Sequence, residues 1–111
     1  MIHILRKKAT QQQLADMLQE LGTFIKLAVD VRRDTLAGGG QMHADCESVL
    51  LRDGSQQSDI WGADWIPSIQ QVEFDALINI RPNQQNFSMA IQDAKIKQHV
   101  ESITRQLLEG V

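Results

Sequence analysis

The stretch FIKLAVDV, residues 24–31, decides the fold, because apolar side chains occupy every second position from Ile25 to Val31. Successive side chains of a β-strand point to opposite faces, so this alternation predicts a strand with one buried face. Residues 32–34 are polar and predict a turn, and residues 35–37 predict the return strand of a hairpin. The hairpin indicates an antiparallel sheet.

Three later segments favour further strands. Residues 60–66 carry two tryptophans at alternating positions and end at Pro67, which cannot donate to a strand ladder. Residues 72–80 show the clearest alternation of apolar and polar side chains in the chain. Residues 42–51 fit either a strand or a short helix, and the turn sequence at 52–55, followed by another apolar run, favours a strand.

Two helices are predicted near the ends of the chain, and residues 2–5 predict a short first strand. Thr10 and Gln13 have the spacing of a capping box, and a helix over 11–21 follows them. Asp93 is placed to cap a final helix with one apolar stripe. The stripe consists of Ile96, Val100, Ile103 and Leu107.

These elements predict an α+β fold, in which a meandering antiparallel sheet of about five strands carries an N-terminal and a C-terminal helix on one face. Strands joined by short turns must be antiparallel neighbours, since a parallel return needs a long crossover. The length of 111 residues suits one domain, so residues 1–111 are expected to form a single α+β domain. The other face of such a sheet is open to solvent.

The charge and cysteine content narrow the classes of function. The chain has 11 Lys and Arg residues against 14 Asp and Glu residues, a net charge of -3, which makes nucleic acid an unfavourable partner. No apolar run approaches the ~20 residues that cross a bilayer, so no membrane partner is expected. Cys46 is the only cysteine, which excludes an internal disulfide and favours a cytoplasmic location.

The predicted strand over 42–51 places three candidate functional side chains on one face of the sheet. His43, Asp45 and Glu47 alternate along it, and such a set suits a divalent metal such as zinc, manganese or iron. Asp75 and Arg81, from the later strand, extend the candidate catalytic set, in which two carboxylates would take acid and base roles. The alternative is a solvated polar face, on which Arg81 neutralises a carboxylate and no catalysis occurs.

Further candidates for ligand or partner binding are Asp30, Asp59, Trp61 and Asn79. Trp61 is suited to stack on a ligand, but in a chain with three Phe, no Tyr and 5% aromatic residues, packing in the core or on the sheet face is favoured over that role. Cys46 points away from the polar row of its predicted strand, which favours a buried and unreactive thiol.

Two blocks of the sequence resemble a small uncharacterised bacterial family. The first comprises MHADCE (42–47), LLRDGS (50–55) and DIWG (59–62), and the second comprises EFDALINIRP (73–82) with Asn86, Ser88 and Met89. The resemblance covers nearly the whole chain and points to the same polar residues as the sheet-face pattern. Ala76 departs from it, since a small polar residue is expected there. That family has no assigned activity, cofactor or catalytic residue, so the resemblance implies no particular reaction.

Two functions from different classes follow. The preferred one is a binding or interaction module, with a regulatory role as a variant, that acts as a homo-oligomer or binds a protein partner. Exposed strand edges favour such pairing. The alternative is a metal-assisted hydrolase or nuclease-like enzyme that uses the His/Asp/Glu cluster of the open sheet face. Light scattering and elemental analysis of the purified protein distinguish the two.

Overall fold

The computed structural model describes residues 1–111 as one five-stranded antiparallel sheet with three α-helices. The strands are β1 (His3–Leu5), β2 (Ile25–Asp30), β3 (Thr35–Gly38), β4 (Ile60–Ile66) and β5 (Gln71–Glu73), and the helices are α1 (Gln11–Leu18), α2 (His43–Arg52) and α3 (Ala94–Leu108). The strand order is β1-β3-β2-β4-β5. The α+β class and the β2–β3 hairpin are therefore confirmed.

The central strand β2 is buried on both faces. Its residues Ile25, Leu27 and Val29 contact the core beneath α1 and α3, and each is 0% exposed. Ala28 and Asp30 point to the opposite face and are also 0% exposed. The sequence pattern predicted burial of one face only, because the positions between the large apolar residues include the small Ala28 and the charged Asp30. The structure buries both faces.

Helices α1 and α3 cover one face of the sheet, as predicted. Thr10 and Gln13 form the predicted capping box, in which each side chain binds the other residue's backbone N–H. The buried residues of α3 include Val100, Ile103 and Leu107, three members of the predicted stripe. No helix of the structure has both the length and the apolar character that crossing a membrane requires.

Helix α2 replaces the strand predicted over 42–51, and that prediction is wrong. Cys46 and Leu50, four residues apart, lie on one face of α2 and pack on the second face of the sheet. The sheet offers small side chains there, Ala28 and Ala37, so the helix can approach closely. The face predicted to be open is consequently covered by α2.

The strand predicted over 72–80 is also wrong beyond its first residues, since β5 ends at Glu73. Residues 74–92, hereafter the 74–92 loop, contain two short 3₁₀ turns instead. The Asn79 side chain takes the place of a strand beside β4. Its Oδ1 accepts from the Gly62 backbone N–H at 2.7 Å, and its Nδ2 lies 3.0 Å from the Gly62 carbonyl oxygen.

Two buried asparagines hold the 74–92 loop together. The Asn79 Nδ2 also lies within hydrogen-bond distance of the carbonyl oxygens of Phe74 and Met89. Asn86 donates to the Asn79 carbonyl oxygen at 2.8 Å and accepts from the Gln92 backbone N–H at 2.8 Å. These side chains satisfy backbone groups that a regular strand would pair, so the loop keeps a defined shape without a ladder.

Candidate functional site

A groove of about 300 Å³ lies between the first residues of α2 and the 74–92 loop, and we call it the α2 groove. Six of its nine lining residues are hydrophobic, and the polar ones are Lys26, His43 and Asp75. The hydrophobic ones are Met42, Ala44, Ala76, Leu77, Ile78 and Met89. A concave apolar surface with a few polar groups is the usual character of a binding site.

A second hollow, of about 440 Å³, lies beside the β1–α1 connection and carries Arg6, Lys7 and Lys8. Only two of its seven lining residues are hydrophobic. Thr10 and Gln13, which also line it, are already bound to each other in the capping box. The α2 groove is therefore the better candidate, because it combines apolar walls with two of the residues predicted from the sequence.

His43 is the first residue of α2 and is held by β4. Its Nε2 lies 2.8 Å from the Asp64 carboxylate and 3.2 Å from the Ala63 carbonyl oxygen. Both partners are acceptors, so Nε2 carries the proton. The Nδ1 atom makes no hydrogen bond within the chain and is accessible to solvent. The Asp64 carboxylate and the Ala63 carbonyl oxygen therefore fix the orientation of the His43 ring beside the α2 groove.

The other two predicted metal ligands have separate partners within the chain. Asp45 accepts from the Met42 backbone N–H at 3.1 Å and caps α2. Glu47 pairs with Arg81 at 3.2 Å. The predicted shared strand face of His43, Asp45 and Glu47 is wrong, because these residues lie on a helix. No group of three or more His, Cys, Asp or Glu side chains is placed to hold a metal ion.

Arg81 is 7% exposed and connects the 74–92 loop to α2 and β4. It donates to the carbonyl oxygens of Ile78 at 2.9 Å and Gln57 at 2.8 Å, besides its pair with Glu47. The guanidinium lies 4.9 Å from the centre of the Trp61 ring. Burial lowers the pKa of Arg81 from its ordinary value, and Glu47 opposes that change. The contacts of Arg81 fix the loop in position.

Asp30 and Asp59 lie at the hairpin end of the sheet, away from the α2 groove. Asp30 is 0% exposed and accepts from the backbone N–H groups of Arg32 and Arg33 and from the Ser55 hydroxyl. Asp59 accepts from the Arg32 side chain at 2.8 Å. These bonds close the β2–β3 turn onto the segment after α2, so both carboxylates are occupied within the chain.

The remaining predicted residues are buried. Trp61 is 2% exposed and Asn79 is 0% exposed, and neither lines the α2 groove. Cys46 is 0% exposed, and desolvation raises the pKa of its thiol to about 11. The prediction of a buried cysteine is confirmed, although Cys46 lies on a helix. Of the predicted catalytic set, the structure brings only His43 and Asp75 to the groove.

Residues 3–107 match the family described as "Protein of unknown function (DUF5674)". The chain belongs to this family. The match confirms the resemblance to an uncharacterised family that the sequence blocks indicated. Comparison with curated proteins and with solved structures finds no match.

In this DUF5674 chain, the groove contains residues that the sequence patterns did not single out. Lys26 lies on β2 opposite Asp64 on β4, and both side chains point to the α2 face. The sequence did indicate this orientation, because Lys26 and Asp64 each lie between the apolar positions of their strands and must therefore point to the other face. The exposed apolar residues Leu77 and Met89 had no signal, because their exposure depends on the fold of the 74–92 loop.

Proposed function

We propose that this protein is a binding module that self-associates through one surface beside the α2 groove. This surface, called the apolar surface below, consists of Met42, Leu77, Ile80, Phe87 and Met89. Met42, Leu77 and Met89 line the groove, and the remaining two belong to the same 74–92 loop.

The observation that carries the proposal is the exposure of these side chains. Leu77 is 68% exposed, Phe87 67%, Met42 52%, Met89 45% and Ile80 44%. The chain has eight exposed large hydrophobic residues, and five of them belong to the apolar surface. Single exposed apolar residues are ordinary, whereas a group of them supports an interaction site.

Residues 76–92, which supply four of these five side chains, lack exposed charge. Residues 76–92 contain one charged side chain, Arg81, and it is buried and paired with Glu47. Interface cores are depleted in charged residues and enriched in methionine and aromatic residues, as the apolar surface is. The composition therefore suits burial against another protein.

A second copy of the chain can bind at the apolar surface in spite of its net charge. Each copy has a net charge of -3, so two copies repel each other over most of their surfaces. The apolar surface is without exposed net charge and is compatible with itself, as an isologous interface requires. A standard protein–protein interface buries about 800 Å² of accessible surface on each partner. The chain has 5904 Å² of accessible surface, which leaves room for such a contact.

Light scattering and sedimentation test the proposal. We expect the wild-type protein to have twice its chain mass of 12.5 kDa, and Leu77→Asp to be monomeric at the same concentration. Ile69→Asp is the matched control, because Ile69 is 60% exposed and lies outside the apolar surface. A wild-type monomer at high concentration, or equal dissociation by the control substitution, would contradict self-association at this surface.

Acid–base catalysis at His43 is a second candidate function, favoured by the free Nδ1 and the Asp64 carboxylate that orients the ring. Such an imidazole takes a proton from water as the water oxygen attacks the carbonyl carbon of a small apolar ester. The bond from that carbon to the alkoxide oxygen then breaks, and the imidazolium returns the proton to the leaving alcohol. General-base catalysis contributes about 10²–10⁴-fold in rate.

Hydrolysis of an activated acetate ester tests this candidate. We expect His43→Ala to lose the rate of ester hydrolysis above the uncatalysed background, and Asp64→Asn to lose part of that rate. His99→Ala is the control, since His99 pairs with Asp34 on the surface. If His43→Ala and His99→Ala hydrolyse the ester equally fast, His43 has no such role.

The proposal includes a cytoplasmic location. Cys46 is the only cysteine and is a buried free thiol. Chains of this size in oxidising compartments commonly carry disulfides, so a reducing compartment fits this chain better. Fractionation of cells that express the protein at its natural level tests the location.

A further inference from the structure

The α2 groove contains two opposite charges that have no partner in the chain. Lys26 and Asp75 both line it, and neither takes part in any ion pair of the structure. Asp64 lies directly opposite Lys26 on the neighbouring strand, but its carboxylate binds His43. Lys26 and Asp75 are therefore available to groups outside the chain.

The other charges around the groove are already bound. Glu47 pairs with Arg81, Asp64 binds His43, and Asp45 caps α2. A charge that becomes buried at an interface without an opposite charge is strongly unfavourable. A partner that covers the groove must consequently bring an anion to Lys26 and a cation to Asp75.

A second copy of the same chain brings both. In an isologous contact, whenever residue i touches residue j of the other copy, residue j touches residue i. We infer that two copies pair about a two-fold axis at the α2 groove, with Lys26 of each copy facing Asp75 of the other. This inference rests on the proposed self-association and names the residues that set its geometry.

A zwitterionic apolar amino acid also carries one anion and one cation, but it fits the surroundings less well. The groove continues into the exposed Leu77 and Met89 side chains, and the same loop presents Ile80 and Phe87. One small molecule in about 300 Å³ leaves most of that apolar area in water. A second copy covers it.

Charge exchange tests the inference. In a dimer of Lys26→Glu, a carboxylate at position 26 faces Asp75 of the other copy at both symmetry-related contacts. In a dimer of Asp75→Lys, Lys26 of each copy faces the lysine introduced in the other copy. Like charges opposed across an interface cost several kcal/mol, so we expect each variant alone to dimerise about 100-fold more weakly. An equimolar mixture of the two variants restores opposite charges at both contacts and should form a heterodimer. The double variant should form a homodimer again.

Matched controls separate this effect from a change in net charge. Lys95→Glu and Glu20→Lys make the same changes in charge at exposed positions of α3 and beyond the end of α1, where neither residue has an ion pair. We expect both to dimerise like the wild-type protein. Sedimentation at about 0.05 M and about 0.5 M salt should show that the effect of the charge exchange shrinks at high salt.

The outcomes distinguish the inference from the proposed function. If Leu77→Asp dissociates the dimer and the two charge variants do not, the apolar surface is the interface and the pairing of Lys26 with Asp75 is wrong. If the double variant dimerises but the mixture does not, the two residues pair within one chain and the inference is overturned. If the wild-type protein stays monomeric and binds L-leucine in a titration that Lys26→Glu abolishes, the groove is a small-molecule site and both proposals fall.

Discussion

The face of the sheet under α1 and α3 buries a cluster of sixteen apolar residues, whereas the face under α2 buries a cluster of five. The first face is closed by two helices whose outer surfaces are polar. The second is closed by one helix and by the 74–92 loop, which depends on the amide groups of Asn79 and Asn86. We infer that the first face supplies most of the stability and that the second tolerates the exposed apolar side chains of the proposed interaction surface.

Leucine truncation on each face gives the largest expected effects. Leu27 and Leu50 are both 0% exposed, and they belong to the larger and the smaller cluster respectively. Leucine-to-alanine substitutions in cores cost about 2–5 kcal/mol, depending on how far the site relaxes. We expect Leu27→Ala near the top of that range and Leu50→Ala near the bottom, measured by urea unfolding. The reverse order would show that the α2 face is the more rigidly packed one.

Removal of the Asn79 amide should have the next largest effect. Asn79→Ala leaves the backbone N–H and carbonyl group of Gly62 without their partner. A buried polar group without a hydrogen bond costs about 1–3 kcal/mol, so we expect a loss of about 2–4 kcal/mol in the free energy of unfolding. Asn83→Ala is the control, since Asn83 is exposed in the same loop. Equal losses for both variants would exclude a structural role of the amide at β4.

Alkylation of Cys46 measures local opening of the α2 face. Desolvation raises the thiol pKa from 9.0 to about 11, which lowers the thiolate fraction about 100-fold at pH 8. We expect iodoacetamide to modify Cys46 more slowly than that factor alone implies, because the thiol is also 0% exposed. Ser48→Cys in a Cys46→Ala background supplies an exposed thiol on the same helix. Comparable rates for the two thiols would mean that α2 leaves the sheet readily.

Acid sensitivity of Asp53 should give the smallest effect. Hydrogen bonds from Arg33 and then Arg6 lower the pKa of Asp53, and they join the end of α2 to the hairpin and to the residue after β1. A lowered pKa stabilises the folded state above the unfolded value of about 3.9, and this contribution is lost as the pH falls through the folded value. We expect Asp53→Asn to lower the melting temperature at pH 7. The melting temperature of this variant should then fall less steeply than that of the wild-type protein between about pH 4 and pH 2. Glu20→Gln, at an exposed position without an ion pair, should leave that decline unchanged.

The sequence predicts elements whose own periodicity matches their burial. The strand within residues 24–31 and the stripe of α3 are confirmed, although β2 is buried on its second face as well. Helix α2 was missed because the run Val49-Leu50-Leu51 and the following turn suit a strand, although the spacing of Cys46 and Leu50 fits a helix. The alternation over 72–80 was misleading, because the Asn79 side chain occupies the edge of β4 that a strand would have paired.

The candidate site was predicted in part. His43 and Asp75 reach the α2 groove, whereas Asp45 and Glu47 are bound by partners that lie elsewhere in the fold. Which charged residue pairs with which depends on the tertiary arrangement, and no local pattern encodes it. The role proposed for Lys26 depends on its having no ion partner in the chain, which only a complete structure reveals.

The Asn79 amide beside β4 has a consequence for solubility. A strand edge with free N–H and carbonyl groups accepts strands from other molecules and thereby promotes fibril growth. The β4 sequence IWGADWI is rich in residues that favour such stacking, and β5 pairs only with its last three residues. By occupying both backbone groups of Gly62, the Asn79 side chain leaves neither of them free to pair with a strand of another molecule. One amide group thus removes a pairing site from the edge of β4.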